Sequence, residues 1–217
     1  MYLPKYHEET DALVLQSLIK AHPLGTWATQ GDGELIVNHV PFLLDASRGE
    51  HGTHVGHVAR ANGIWQSFSK SVPSVVVFQG AESYITPSWY PSKHAHGKAV
   101  PTWNYVVVHA HGLPRVIEDS AWLLSHVSQL TDVHEAGQAL PWRASDAPAE
   151  FTAHMIERIV GIEIPIAKLV GKWKVSQNRP EPDKLGVVAG LRAKDDPQSS
   201  AMAALVDQQI SGEQTEP

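Results

Sequence analysis

The amino-acid sequence predicts a mainly β fold of the α+β class, a barrel with appended helices. Six or seven segments with strand character follow one another at short spacing, and helical segments separate only some of them. A doubly wound sheet would need a regular alternation of strands and helices, which the sequence lacks. The chain has 217 residues, of which 42% are hydrophobic, and this is enough for one sizeable soluble domain.

The first half of the chain begins with a predicted helix and continues with strands. The helix covers residues 10–22, where Leu15, Leu18 and Ile19 share one face and Pro23 ends the helix. A short helix is predicted at 60–68. Strands are predicted at 24–30, 34–45, 54–59 and 74–86.

The second half carries further strands and two longer helices. A loop is predicted at 87–99, two strands within 100–117, and a return to strand at 160–175. One helix starts at Asp119 and buries Trp122, Leu123, Val127 and Leu130. The other starts after Pro148, with Met155, Ile156 and Ile159 on its apolar side.

The end of the chain differs in composition from the rest. From Arg192 the sequence is polar and free of aromatic residues, which predicts a loosely packed tail with one helical stretch near 200–210. We therefore expect a barrel domain with helical additions at 1–191 and a polar C-terminal tail at 192–217.

The composition excludes several kinds of function. The absence of cysteine excludes disulfides, thiol catalysis and cysteine-ligated zinc. The start of the chain lacks the apolar core of a signal peptide, and no apolar run approaches the roughly 18 residues that span a bilayer, so we expect a cytoplasmic protein without a membrane partner. The formal net charge of −6 lacks the basic excess of DNA-binding domains, and the most basic stretch is residues 168–179.

The common catalytic and nucleotide-binding motifs are missing. The sequence contains no G-x-G-x-x-G, Walker, H-E-x-x-H or G-x-S-x-G pattern. Among the 13 histidines, the pairs His94/His96 and His109/His111 would each place two rings on one face of a strand. No third ligand follows at a diagnostic spacing, so we expect no metal site.

Four polar and aromatic clusters lie beside the apolar strands, at residues 57–62, 88–93, 100–105 and 171–178. An isoalloxazine ring needs flat aromatic walls and amide partners, and a phosphate needs cations, for which an Arg at a strand-to-helix junction is suited. Taken singly, Trp103 or Trp173 is more often a core residue, and Lys172 or Lys174 is more often solvated. Four such clusters together favour an anionic aromatic ligand.

Long segments of the chain resemble one family. They run in order from Met1 to about Leu191 and include AHPLGTWAT, NHVPFLL, GHVARAN, VVVFQGAESYITPSWYPSK, VPTWNYVVVHAHG, IVGIEI and GKWKVSQN. These segments are similar to the PaiB family, the FMN-binding negative transcriptional regulators. The resemblance implies an FMN-binding split β-barrel related to pyridoxamine-phosphate oxidase and flavin reductases, a homodimer with FMN at its interface, and a repressor of protease and sporulation genes.

The resemblance also implies the residues of the FMN site. Arg60 and Asn62, in the same stretch as His57, are expected to hold the phosphate. The expected wall of the flavin pocket consists of Ser88, Lys93, Thr102, Trp103 and Asn104. Four residues late in the chain are expected to reach the FMN site: Lys174, Ser176, Gln177 and Asn178. They would come either from the same subunit or from the second subunit of the dimer. No catalytic residue is identified.

Three functions remain open at this point. The first is a transcriptional regulator that binds FMN. The second is a flavin-dependent oxidoreductase, because a split barrel can leave the chemistry to the cofactor. The third is a haem-binding split barrel, suggested by the histidines and ranked below flavin binding. Direct DNA binding is supported neither by the charge nor by a helix-turn-helix pattern, so regulation would act through the flavin or through a partner protein.

Overall fold

The structure is a computed structural model that describes residues 1–31 and 33–211. The side chains of residues 94–96 and 211 lie outside this description, and with them the predicted His94/His96 pair. The chain forms two compact units. Unit 1 comprises Met1–Leu18, Gln79–Val108 and Val170–Pro217, and unit 2 comprises Ile19–Phe78 and His109–Leu169.

The described residues form ten strands and seven α-helices, and the helices are added between some of the strands. The strands are β1 (Glu8–Glu9), β2 (Leu24–Gln30), β3 (Leu35–Pro41), β4 (Leu43–Asp45), β5 (Thr53–Ala59), β6 (Ser74–Ile85), β7 (Thr102–Gly112), β8 (Arg115–Ile117), β9 (Ile159–Pro165) and β10 (Lys168–Lys174). The helices are α1 (Ala12–Ala21), α2 (Ile64–Ser67), α3 (Pro91–His96), α4 (Ser120–Glu135), α5 (Ala149–Ile156), α6 (Glu181–Arg192) and α7 (Pro197–Ser211). Within the described ranges, no helix is long and apolar enough to cross a bilayer.

Unit 2 is built from antiparallel strands around an apolar core. β3, β2 and the first part of β6 lie side by side, and β4, β5, β9 and β8 form a second row in that order. β5 and β9 pair along their whole length, from Thr53 opposite Pro165 to Ala59 opposite Ile159. The inward side chains of these strands include Trp27, Phe78 and Ile162, which are fully buried.

Unit 1 combines strands with the C-terminal helices. β1, β10, β7 and the last part of β6 lie in that order. α7 packs against α6, and Met202 and Val206 of α7 are fully buried. An ion pair of 3.0 Å joins Arg192 to Asp207. Residues 197–211 are therefore packed helix, and the expected loose packing of this segment is wrong. The apolar side chains recur at helical spacing although the segment is polar overall.

The mainly antiparallel fold with appended helices agrees with the expectation from sequence. Both longer helices begin where predicted, and the Asp119 carboxylate caps α4 by accepting a hydrogen bond from the Trp122 N–H at 2.7 Å. Three local expectations are wrong. The predicted loop at 87–99 contains α3, and the predicted strand at 160–175 is two strands that turn at Ile166 and Ala167. The predicted strand at 34–45 is also two strands, β3 and β4, which are interrupted at Phe42 and belong to different sheets.

Candidate functional site

Two lysines on one side of β10 form the most charged feature of unit 1. The side chain of Lys172 is buried, its ammonium donates to the Tyr2 carbonyl at 3.1 Å, and it lies 5.2 Å from the centre of the Tyr105 ring. The ammonium of Lys174 donates to the Thr102 hydroxyl. In the described part of the chain, neither lysine has a carboxylate partner. We call these two lysines with His7, Thr102, Asn104, Ser176 and Gln177 the β10 cluster.

The electrostatics of the β10 cluster favour an anion. Burial lowers the pKa of the Lys174 ammonium, and the charges of Lys172 and Arg179 lower this pKa further. Burial also lowers the pKa of the His7 imidazole, with the two lysines of β10 adding to the effect. The charges of Lys172 and Arg179 repel the Lys174 ammonium, so an anion bound beside Lys174 would stabilise its charged form.

The end of β10 is a tightly bonded turn. Ser176 is buried and has φ of 66°, a left-handed conformation that is uncommon outside glycine. Its hydroxyl accepts a hydrogen bond from the Asn104 side-chain amide at 2.9 Å. The Gln177 side chain accepts from the Val175 N–H at 2.8 Å and from His7 Nδ1 at 3.1 Å. These bonds fix the position of β10 relative to the start of β7.

An exposed aromatic pair lies on β6 and β7 in the same unit. The rings of Tyr84 and Trp103 meet edge to face with centroids 6.1 Å apart, and 42% and 52% of their surfaces are exposed. Large exposed aromatic rings on a strand are typical of a binding surface. The pair offers exposed aromatic surface to a ring-shaped ligand.

The structure thus brings together five of the residues that the sequence predicted for this unit: Thr102, Asn104, Lys174, Ser176 and Gln177. Ser88 and Asn178 are exposed, Lys93 is half-buried, and none of the three joins the hydrogen bonds of the cluster in the described residues. The sequence interpretation missed His7 and Lys172 as cluster members. The position of Lys172, two residues before Lys174 on the same strand, is the signal that could have indicated it.

The predicted phosphate residues belong to unit 2. The Arg60 guanidinium donates to the Glu118 carboxylate at 2.7 Å and to the backbone carbonyls of Glu157 at 2.9 Å and Ile159 at 3.3 Å. The Asn62 side chain donates to Asn38 at 2.7 Å and accepts from the Ile64 N–H at 3.1 Å. Arg60 therefore faces a carboxylate and two carbonyls, and it ties the end of β5 to the start of β9.

His57, the third predicted residue of unit 2, contacts another histidine. Its Nδ1 lies 3.0 Å from Nε2 of His126 on α4. Over the described ranges, no group of three or more potential metal-binding side chains occurs.

The β10 cluster has the donor set that FMN requires. A phosphate monoester needs cations that are not neutralised by carboxylates, and Lys174 meets this condition at a half-exposed position. A flavin ring needs polar partners and an aromatic wall, for which the half-buried Thr102 and the exposed Tyr84/Trp103 pair are candidates. The residues of the β10 cluster are therefore of the types that can hold FMN.

The sequence also matches known proteins. Residues 1–168 match the family model described as "Putative FMN-binding domain". The protease synthase and sporulation protein PAI 2 of Bacillus subtilis is 29% identical over 210 residues, which cover 97% of this chain and 98% of that protein.

Solved structures share the fold. The flavocytochrome Anf3 from Azotobacter vinelandii superposes with a TM-score of 0.59 at 15% identity, covering 79% of this chain and 72% of that one. The FAD and heme binding protein from Mycobacterium smegmatis gives a TM-score of 0.56 at 15% identity, with 77% and 73% covered. The fold is the split barrel of flavin-binding proteins, as expected from the sequence. The chain therefore belongs to the PaiB-like family of FMN-binding domains, and its cofactor is FMN.

Proposed function

We propose that the protein is an FMN-binding regulator of the PAI 2 type, with the FMN phosphate bound at Lys174. The observation that carries this proposal is the β10 cluster, in which two neighbouring lysines lack a carboxylate partner among the described residues. The regulatory part of the proposal rests on the resemblance to the family of FMN-binding negative transcriptional regulators, and the Bacillus subtilis relative is named for protease synthesis and sporulation. When bound, FMN supplies one- or two-electron redox chemistry.

The residues of the cluster have separate tasks in this proposal. Lys174 donates charge-assisted hydrogen bonds to the phosphate, and Thr102, already bonded to Lys174, orients the ammonium. Asn104 and Ser176 hold the end of β10 in place. Trp103 and Tyr84 provide the aromatic wall.

Arg60 is the other residue predicted for the phosphate. Its guanidinium is engaged by Glu118 and two backbone carbonyls, so a phosphate there would have to displace a carboxylate at 2.7 Å and leave that carboxylate close by. Like charges held close together repel one another. We therefore place the phosphate at Lys174 and test Arg60 beside it.

The decisive experiment compares FMN with riboflavin, which lacks the phosphate. Lys174→Met is expected to weaken FMN binding about 10- to 100-fold, because a hydrogen bond to a charged group contributes roughly 1.5–3 kcal/mol, and to leave riboflavin binding nearly unchanged. Lys20→Met, at an exposed residue of α1, removes the same charge as a control. Arg60→Ala is expected to leave the ratio of the FMN and riboflavin affinities unchanged, because the Arg60 guanidinium is engaged by Glu118 and two carbonyls.

The two variants distinguish a phosphate at Lys174 from a phosphate at Arg60. Equal losses of FMN and riboflavin in Lys174→Met would refute the phosphate assignment, and a selective loss of FMN in Arg60→Ala would move the phosphate to unit 2. A nicotinamide oxidation assay on the FMN-loaded protein tests regulation against catalysis. Turnover with added reduced nicotinamide would favour the flavin-dependent oxidoreductase over the regulator.

A second copy of the chain is the partner that we propose. The antiparallel pair of β2 and β3 places Leu24, Leu35 and Val37 on one face, and these side chains are 62%, 71% and 49% exposed. An apolar face of this kind is typical of a surface that another protein covers. DNA is not proposed as a direct partner, because the net charge of −6 disfavours contact with phosphates.

A further inference from the structure

An apolar cavity of about 250 Å³ lies within unit 2, beside α4 and α5. Its wall includes Trp142, Phe151 and Met155, which are large apolar side chains left about half exposed. The lining residues that carry polar side-chain atoms are His57 on β5, Trp142 and Thr152. A concave apolar site with a few converging polar groups is typical of a small-molecule site.

The position of His57 follows from the strand pairing. His57 lies opposite Gly161 on β9, and Gly161 leaves room for the Trp122 ring, since a Cβ at this glycine would lie 2.3 Å from that ring. Trp122 stacks on His126 with centroids 5.4 Å apart. His126 in turn places Nε2 at 3.0 Å from Nδ1 of His57.

The buried environment fixes which nitrogens carry protons. Both rings are uncharged near neutral pH, since burial lowers the pKa of His57 and lowers that of His126 to about 4. Nδ1 of His126 is buried and has no partner in the described part of the chain. A buried N–H without a partner is rarer than a buried acceptor without one, so Nδ1 of His126 is the unprotonated nitrogen. His126 therefore donates from Nε2 to His57 Nδ1, and His57 carries its proton on Nε2.

That proton is available to a ligand. Nε2 of His57 has no partner among the described residues, and it is not one of the buried atoms. His57 therefore presents one neutral N–H donor in an apolar cavity. A ligand must offer an acceptor and an otherwise apolar body.

We propose that this cavity binds a flat, uncharged ring compound whose carbonyl oxygen accepts a hydrogen bond from His57 Nε2. FMN does not fit this site, because no cationic side chain occurs among the residues described as lining it. Haem iron does not fit either, because a protonated Nε2 has no lone pair for a metal. His57, expected from the sequence to contact FMN, thereby has a different partner.

The experiment uses two probes that differ only in the carbonyl, 1-indanone and indane, with the FMN-saturated protein and ligand-observed NMR. The protein is expected to bind 1-indanone about 3- to 10-fold more tightly than indane, the range of one neutral hydrogen bond. His57→Phe keeps a ring and removes the donor, so it should abolish this preference. His134→Phe, at an exposed residue of α4, is the matched control and should keep it.

A second variant guards against misfolding of His57→Phe. Thr152→Trp fills the cavity from α5 without changing the histidines and should prevent binding of both probes. Equal affinity for the two probes in the unaltered protein would overturn the proposal, as would no binding of either probe. Displacement of 1-indanone by FMN, or a haem absorption band that His57→Phe abolishes, would also overturn it.

Discussion

Acidification should destabilise the protein through His54, and this effect has a calculable size. The His54 ring is fully buried on β5, with centroids 5.5 Å from Phe42 and 4.9 Å from Phe78. Neither ring nitrogen has a hydrogen-bond partner among the described residues. Burial lowers the pKa of His54 from 6.5 to about 3, so the folded protein holds this ring uncharged.

The sign follows from the depressed pKa. An unfolded chain protonates His54 near pH 6.5, whereas the folded chain does not do so until about pH 3, so protons stabilise the unfolded state between these values. The contribution of His54 is present above pH 6.5 and is lost as the pH falls towards 3. Each pH unit in this window removes about 1.4 kcal/mol, which gives a loss of about 2 kcal/mol between pH 7 and pH 5.

The assay is urea unfolding of the FMN-saturated protein at pH 7 and pH 5, with His54→Phe as the test variant. The free energy of unfolding of His54→Phe, relative to the unaltered protein, should rise by about 2 kcal/mol from pH 7 to pH 5. His134→Phe should show no such rise. A difference between His54→Phe and the unaltered protein that stays constant with pH would refute the reasoning, whatever the variant does to stability at pH 7.

Two further predictions concern partners. Light scattering at micromolar concentration is expected to give a dimer of twice 23.7 kDa. Leu35→Glu should weaken this dimer, whereas Leu140→Glu, at a residue that is 91% exposed, should not. A stable monomer of the unaltered protein would contradict the prediction. Fluorescence anisotropy with duplex DNA at physiological salt is expected to show no sub-micromolar binding, because few cations are available to phosphates. Tight, salt-sensitive binding to the protein's own promoter would instead support direct repression.

The fold could be predicted from sequence where the hydrophobic pattern was regular. β2 was predicted with its observed bounds, and the break in the strand pattern at Gly112 separates β7 from β8 as expected. The hydrophobic pattern did not predict the packing of a helix whose overall composition is polar. α7 reads as polar, yet Met202 and Val206 lie four residues apart and share one buried side of the helix.

Helical periodicity was less informative about individual side chains. Leu123 and Ile156 are buried as predicted, whereas Met155 is exposed. The other residues predicted on these apolar sides are only half-buried: Trp122, Val127, Leu130 and Ile159. For Trp122 and Met155, the surroundings of each side chain explain why it is not buried. Trp122 stacks on His126 over Gly161, and Met155 lines the 250 Å³ cavity, so both side chains lie beside features that depend on other elements of unit 2.

The candidate site shows why residue types alone do not define a phosphate site. The sequence pointed to Arg60, an Arg at a strand-to-helix junction, for the phosphate, and it predicted Lys174 as a site residue without that role. In the structure the two differ in their partners, since Glu118 neutralises Arg60 while Lys174 faces Thr102 and the charge of Lys172.

Glu118 and Arg60 are 58 residues apart in the chain, and no local pattern connects them. The pairing arises because β8 and β5 both pair with β9, which brings the end of β8 close to the end of β5. A cation becomes a candidate ligand for phosphate only when the fold leaves it without a carboxylate. The β10 cluster meets this condition within the described residues, and this is why we assign the phosphate to Lys174 rather than to Arg60.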